Sequence, residues 1–139
     1  MTAAQVEDFF KRYADAFSRF DIDEICTMWA YPAYIAGRGK RASLTEDEFR
    51  ANTAALCAFY DRQGMKKARK QVVELARLIG GTTAVRTADQ VFDGEGSVIA
   101  AWEHVYVLSE TTDGIKAITA LPDEELDAWD ARGTPMGSW

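Results

Sequence analysis

The run TTAVRTADQVFDGEGSVIAAWEHVYVLS, residues 82–109, decides the fold. Its two halves alternate in side-chain character at every second residue, the period of a β-strand. Asp93-Gly94-Glu95-Gly96 divides them with turn-forming residues. The spacing predicts strands over Thr82–Phe92 and Ser97–Ser109. Upstream, Gly80-Gly81 joins the first of these to a strand over Ala68–Ile79, and two glycines between strand runs are a specific hairpin signal. Downstream, Asp113-Gly114 leads into a strand over Ile115–Leu121. Four strands with tight turns make an antiparallel meander.

Those turns also sort the side chains. One face collects Leu75, Ala84, Arg86, Ala88, Ile99, Ala101, Glu103 and Val105. The other collects Val72, Glu74, Val85, Thr87, Asp89, Trp102, His104 and Tyr106. Turn length sets Thr87 opposite Trp102, Val85 opposite His104 and Thr83 opposite Tyr106. On the first face it sets Arg86 opposite Glu103 as a cross-strand ion pair. A four-residue offset then separates Asp89 from His104 by about 13 Å. An indole, an imidazole and a phenol on alternate residues of one strand suit the lining of a pocket, and His104 is the only histidine in the chain. Small and β-branched residues with balanced charges suit a subunit interface, so the first face predicts a homodimer.

Three helices precede the sheet. Thr2 with Gln5, Asp21 with Glu24, and Thr45 with Glu48 each have capping-box spacing. Met1/Val6, Phe20/Ile25 and Leu44/Phe49 stand as the matching hydrophobic staples. The first helix runs from about Ala3 to Phe20, with Val6, Phe9, Phe10, Tyr13, Phe17 and Phe20 as its apolar stripe. The second covers Ile22 to about Trp29. Tyr31-Pro32 ends it, and the chain runs extended to Ile35. Gly37-Arg38-Gly39-Lys40-Arg41 reads as a basic loop without phosphate-cradling spacing. The third helix spans Glu46–Arg62, with Phe49, Thr53, Leu56 and Tyr60 on its inner face and Gly64 as terminator.

At 139 residues and 47% hydrophobic, the chain suits one packed domain over residues 1–121. Residues 122–139 form an acidic tail in which Asp123, Glu124, Glu125, Asp127 and Asp130 oppose Arg132 alone. The tail thus carries −4 of the net −6. Whether Leu126 and Trp129 anchor it as a short helix is open at this stage. The acidic balance excludes a nucleic-acid partner. Cys26 and Cys57 fit no metal spacing, so no metal and no other cofactor is expected, and reduced thiols point to the cytoplasm. The N-terminal stretch lacks the basic, apolar, small-residue series of a signal peptide and no apolar run approaches membrane length, so neither a leader nor a membrane span is expected.

Two stretches carry a family resemblance. The first is Tyr13 followed by Phe20-Asp21-Ile22-Asp23-Glu24-Ile25 and Met28-Trp29-Ala30. The second is Tyr106-Val107-Leu108 followed by Asp113-Gly114-Ile115-Lys116. With the helix and strand order, they resemble the nuclear transport factor 2-like superfamily, which includes ketosteroid isomerases and the SnoaL-like cyclases. The resemblance implies an α+β, cystatin-like cone, with three N-terminal helices on a curved antiparallel meander enclosing a pocket. Tyr13 matches the oxyanion-hole tyrosine of the ketosteroid isomerases by its spacing from Asp21. Ala36-Gly37 stands where their aspartate base belongs, and Tyr106 is nearest to their second oxyanion-hole acid, so steroid isomerisation is not implied.

These readings nominate His104, Tyr13 and Asp89 for catalysis. They nominate Phe17, Trp29, Tyr34, Phe49, Leu56, Tyr60, Trp102 and Tyr106 for ligand contact. His104 is either a general base kept neutral by desolvation or a buried histidine bonded to a neighbour. Asp89 and Glu74 are either solvated at the cavity mouth or acids of raised pKa. Two functions follow. One is a cofactor-independent isomerase, dehydratase or cyclase acting on a small apolar or aromatic molecule. The other is a non-catalytic ligand-binding or dimerisation module of the same fold.

Overall fold

The computed structural model describes residues 1–136. Its elements run α1 (Ala3–Ser18), α2 (Ile22–Thr27), β1 (Trp29–Gly37), β2 (Lys40–Leu44), α3 (Glu46–Arg62), β3 (Lys67–Arg77), β4 (Thr82–Phe92), β5 (Val98–Thr111), β6 (Gly114–Leu121) and α4 (Asp123–Arg132). The strands form one sheet in the order β2-β1-β6-β5-β4-β3. Neighbours pair antiparallel, except that β1 runs parallel to β6. This is the expected α+β cone, with α1 lying against β3 and α2 against α3. Among the described residues no helix is long and apolar enough to cross a membrane.

The helix starts follow from their caps. Thr2 Oγ1 accepts from the Gln5 amide at 3.2 Å, and Gln5 Oε1 accepts from the Thr2 amide at 2.8 Å. Thr45 and Glu48 repeat this reciprocal pair. Asp21 accepts from the Glu24 amide at 3.0 Å, the first half of the device. Each cap contributes about 1 kcal/mol. α1 stops at Ser18 rather than Phe20, because Phe20 takes a left-handed φ of 52° and the Asp21 amide turns back to Ala16 O. α2 stops at Thr27, and Trp29 opens a strand, since β1 pairs with β6 from that residue on. The expected loop at 37–41 is instead a hairpin. Arg38 and Gly39 form its two-residue turn with φ of 51° and 74°, and Lys40–Leu44 is a strand at the sheet edge.

Two irregularities correct the expected register of β4 and β5. The Asp93 carboxylate accepts from the Glu95 and Ser97 amides, which lengthens the turn by one residue. Ile99 is a second extra residue, bulged between the pairs Phe92–Val98 and Val91–Ala100. Together they slide β5 by two positions. Parity survives, so each side chain of 100–108 keeps its face, but partners change. Thr87 pairs with His104, Asp89 with Trp102 and Val85 with Tyr106. The expected 13 Å between Asp89 and His104 collapses accordingly. Arg86 pairs with Val105, and its guanidinium reaches sideways to Glu103 at 3.0 Å and to Glu74 at 2.6 Å.

A bulge in β3 between Val72 and Glu74 reverses parity along the rest of that strand. Lys70 and Val72 face the helices. Glu74 turns outward beside Arg86, and Leu75 turns inward opposite Val85, the reverse of both expectations. Ile99 also leaves the outer row, because its bulge buries it.

The acidic segment after Leu121 is a helix, and Trp129 on it is fully buried against Phe59, Tyr60 and Trp102. α4 lies beside β5 where β6 has ended. There Glu124 accepts from the Glu103 amide at 3.0 Å, and Arg132 donates to Ile99 O at 2.7 Å. Helix side chains thus take the ladder bonds that a longer β6 would have made.

Candidate active site

The concave sheet face, the inner sides of α1 and α3, and α4 surround a cavity of about 240 Å³. Phe17, Trp29, Phe49, Leu56, Tyr60 and Trp102 form its apolar walls. Tyr13, Asp89, His104 and Tyr106 line it as well. Tyr34 does not. Strand alternation in β1 turns Ala33 and Ile35 inward and leaves Tyr34 50% exposed on the other side. Among the described residues no group of three or more His, Cys, Asp or Glu could hold a metal ion.

One polar row crosses this cavity from β3 to α4. Lys70 Nζ donates to Asp89 Oδ2 at 2.5 Å and to Tyr106 Oη at 2.7 Å. Asp89 also accepts from Thr87 Oγ1 at 2.7 Å and from Trp102 Nε1 at 3.0 Å. Three donors, one of them the Lys70 cation, satisfy most of the acceptor capacity of the Asp89 carboxylate. His104 stacks on Tyr106 with ring centroids 4.5 Å apart. Its Nδ1 is buried without a hydrogen-bond partner among the described residues, 3.7 Å from Asp89 Oδ2 and 3.9 Å from Glu125 Oε1. Glu125 reaches in from α4. Its Oε2 accepts from the Tyr60 hydroxyl and, at 3.2 Å, from Trp129 Nε1. Its Oε1 has no hydrogen-bond donor among the described residues.

Burial sets the proton affinities. Desolvation, helped by the Lys70 charge and opposed by Asp89, pushes the His104 imidazole down to about 3. Desolvation pushes the Glu125 carboxyl up to about 7, against the lowering effect of Tyr60, Lys70 and Trp129. The Tyr13 and Tyr106 phenols are held well above their ordinary range, chiefly by burial, and stay protonated. Tyr13 Oη accepts from Trp29 Nε1 at 2.9 Å, as Tyr106 Oη accepts from Lys70. For the protons on these two phenols the described residues offer no acceptor.

Sequence reasoning missed Lys70 and Glu125. Lys70 shares parity with Val72 on its strand, and that was its one signal. Glu125 is the only tail acid at i,i+4 from Trp129, so a helical reading of the tail would have put it on the apolar side.

The chain matches the family model described as "NTF2-like protein (DUF6841)" over residues 4–125. It belongs to this NTF2-like family. Among curated proteins none matches the chain. Solved structures of the same fold include an NTF2-like protein of unknown function from Shewanella oneidensis. It is 13% identical, with a TM-score of 0.66 over 87% of this chain and 98% of that one. A cystatin-like domain of unknown function from Nostoc punctiforme is 15% identical, with a TM-score of 0.67 over 87% and 77%. A ketosteroid isomerase-like protein from Erwinia carotovora atroseptica is 18% identical, with a TM-score of 0.64 over 85% and 92%. At these identities the likeness is one of fold.

In this NTF2-like cone, pH should act on stability through two opposed groups. His104 ordinarily titrates near 6.5 and is depressed when folded, so its contribution is whole above pH 6.5 and is lost as pH falls toward 3. Glu125 ordinarily titrates near 4.5 and is raised when folded, so its contribution is whole below pH 4.5 and is lost as pH rises through 7. Between 4.5 and 6.5 the two slopes cancel. Urea titrations across pH should therefore show a plateau in that window, with decline on both sides. Glu125→Gln should abolish the decline above it.

Proposed function

We propose that the cone binds a small apolar or aromatic carbonyl compound and moves a proton within it without a cofactor, in the manner of an isomerase, dehydratase or cyclase. The observation that carries this reading is Glu125. It is a buried carboxyl poised near neutral pH, with no cationic partner among the described residues and one oxygen open to the cavity. A general base works best when its pKa lies near the working pH. An imidazole held near 3 stays neutral but is a feeble base, so His104 takes the part of a hydrogen-bonding partner and Glu125 that of the base.

In this scheme the substrate carbonyl accepts from Tyr13 and Tyr106. Glu125, ionised, removes the α-proton, and the electron pair of that C–H bond passes into an enolate whose oxygen the two phenols hold. Glu125 then returns the proton to a different carbon. If a β-hydroxyl leaves instead, taking up the proton, water is lost and the alkene remains. Aromatic and terpenoid ketones incubated with the protein in D₂O should exchange their α-protons faster than in buffer, as read by NMR. A ligand held at 100 times its Kd should stabilise the fold by about 2.7 kcal/mol. Binding without exchange would leave a non-catalytic carrier, and an absence of binding across the panel would reject both.

We also propose that the outer face of the sheet pairs two copies of the chain. Ala84, Ala88, Ala101 and Val105 lie there, with Val73 44% and Leu121 42% exposed around them. Obligate interfaces commonly bury about 2,000 Å² or more. Light scattering at micromolar concentration should return a dimer mass, and Arg86→Glu, which sets a third acid beside Glu74 and Glu103, should lower it. A monomer mass for the unaltered chain would reject the interface.

A further inference from the structure

The acids of the C-terminal helix divide by face. Leu126 and Trp129 are buried, and Glu125 beside them enters the cavity. Asp123, Asp127 and Asp130 fall at i, i+4 and i+7 on another side, and all three converge on Arg38. The Arg38 amide donates to Asp123 Oδ1 at 2.7 Å. Its guanidinium donates to Asp127 Oδ1 at 2.9 Å and to Asp130 Oδ2 at 2.6 Å.

The turn that presents Arg38 is unusual in a way that favours a purpose. Arg38 has a φ of 51°, a left-handed conformation that asparagine or glycine takes at lower cost. Strain of this kind persists where the surroundings require the residue. The preceding Gly37 touches the start of α4 directly. A β-carbon there would collide with Asp123 Oδ1 and lie 3.3 Å from Pro122 Cδ.

We propose that Arg38, outside the cavity, is the positioning residue for Glu125: by fastening α4 to the β1–β2 turn it fixes where the carboxyl stands and keeps water from it. The inference rests on the reading of Glu125 as the proton-transferring group. Among the described residues α4 is also tied by Glu124 to the Glu103 amide, by Glu125 to the Tyr60 hydroxyl, by Arg132 to Ile99 O, and by the buried Leu126 and Trp129. Arg38 adds three points along the helix, its amide on the first turn and its guanidinium on the middle and the last turn. Without the Arg38 guanidinium the middle and last turn of α4 would lose their tie to the β1–β2 turn, the helix would loosen over the cavity, water would reach the Glu125 carboxyl, and the carboxyl would titrate nearer to an ordinary glutamate.

The test is Arg38→Ala in the full chain, read without any substrate. The Glu125 carboxyl is followed by infrared difference titration against Glu125→Gln, and the amides of α4 by hydrogen exchange. The expected result is a downward shift of about one pH unit or more in the carboxyl titration, with about tenfold faster exchange confined to α4. Arg38→Lys, which keeps the charge but not the forked geometry, should fall between. The double variant Asp127→Asn with Asp130→Asn should reproduce the loss even if Arg38→Ala folds poorly. An unchanged carboxyl titration and unchanged α4 exchange in both the alanine and the double variant would overturn the proposal. Failure of every carbonyl compound to exchange protons would undo the functional reading and leave the Arg38 result standing.

Discussion

Glu125→Gln should reduce α-proton exchange of any bound carbonyl compound by about 10²–10⁴-fold, the usual worth of a positioned general base. The fold should tolerate the change. The glutamine oxygen can accept from Tyr60 and Trp129 as Oε2 does now. The amide nitrogen then stands where Oε1 stood, 3.9 Å from His104 Nδ1, and a small side-chain shift would let it donate to that ring nitrogen, which has no partner among the described residues. A buried carboxyl is exchanged for a neutral group that satisfies its neighbours better. The melting temperature at pH 8 should therefore hold or rise while exchange collapses. If exchange survives at more than a tenth of its original rate, Glu125 is not the base. Parallel loss of folding would make its role structural.

Lys70→Met should be among the most destabilising single changes in the chain. Among the described residues the Lys70 ammonium is the sole cation bonded to Asp89, whose side chain is 3% exposed, and it also bonds the Tyr106 hydroxyl. Removing it strands a buried carboxylate on Thr87 and Trp102 alone. Breaking such a pair from one side costs about 3–5 kcal/mol, a large part of the 5–15 kcal/mol that holds a domain together. Adding Asp89→Asn to Lys70→Met should recover much of that loss, since the stranded charge disappears. Urea denaturation of the two variants gives the comparison. A cost under about 1 kcal/mol for Lys70→Met would mean that water already screens the pair.

Much of the cone was legible because its signals are local. Capping pairs marked the helix starts, and Gly80-Gly81 marked a hairpin whose glycines take φ of 66° and 71°. Parity alone placed Trp102, His104 and Tyr106 on one face, and it survived because two one-residue insertions cancel in parity. The pairing partners did not survive, since they depend on the turn at Asp93 and on the bulge at Ile99. Glu74 and Leu75 were misplaced for the same reason, because a single bulge reverses a strand with no mark in its composition. β2 escaped notice as a short edge strand without an apolar face. Tyr34 groups with the other aromatics by residue type, whereas the period of β1 turns it outward. Glu125 was hidden by its neighbours, as five acids together read as a solvated tail until one helical turn separates them.

The polar row has one further consequence. Its members come from separate pieces of chain: Lys70 from β3, Asp89 from β4, His104 and Tyr106 from β5, and Glu125 from α4. The first four are woven into the sheet ladder, where a change disturbs the neighbouring strands. The fifth sits on a ten-residue helix that adds no strand. The scaffold thus separates a fixed platform from an exchangeable cassette. Redesigning that one helix, to present a histidine, an amide or an apolar cap in place of Glu125, is the route by which the same cone could be given a different chemistry.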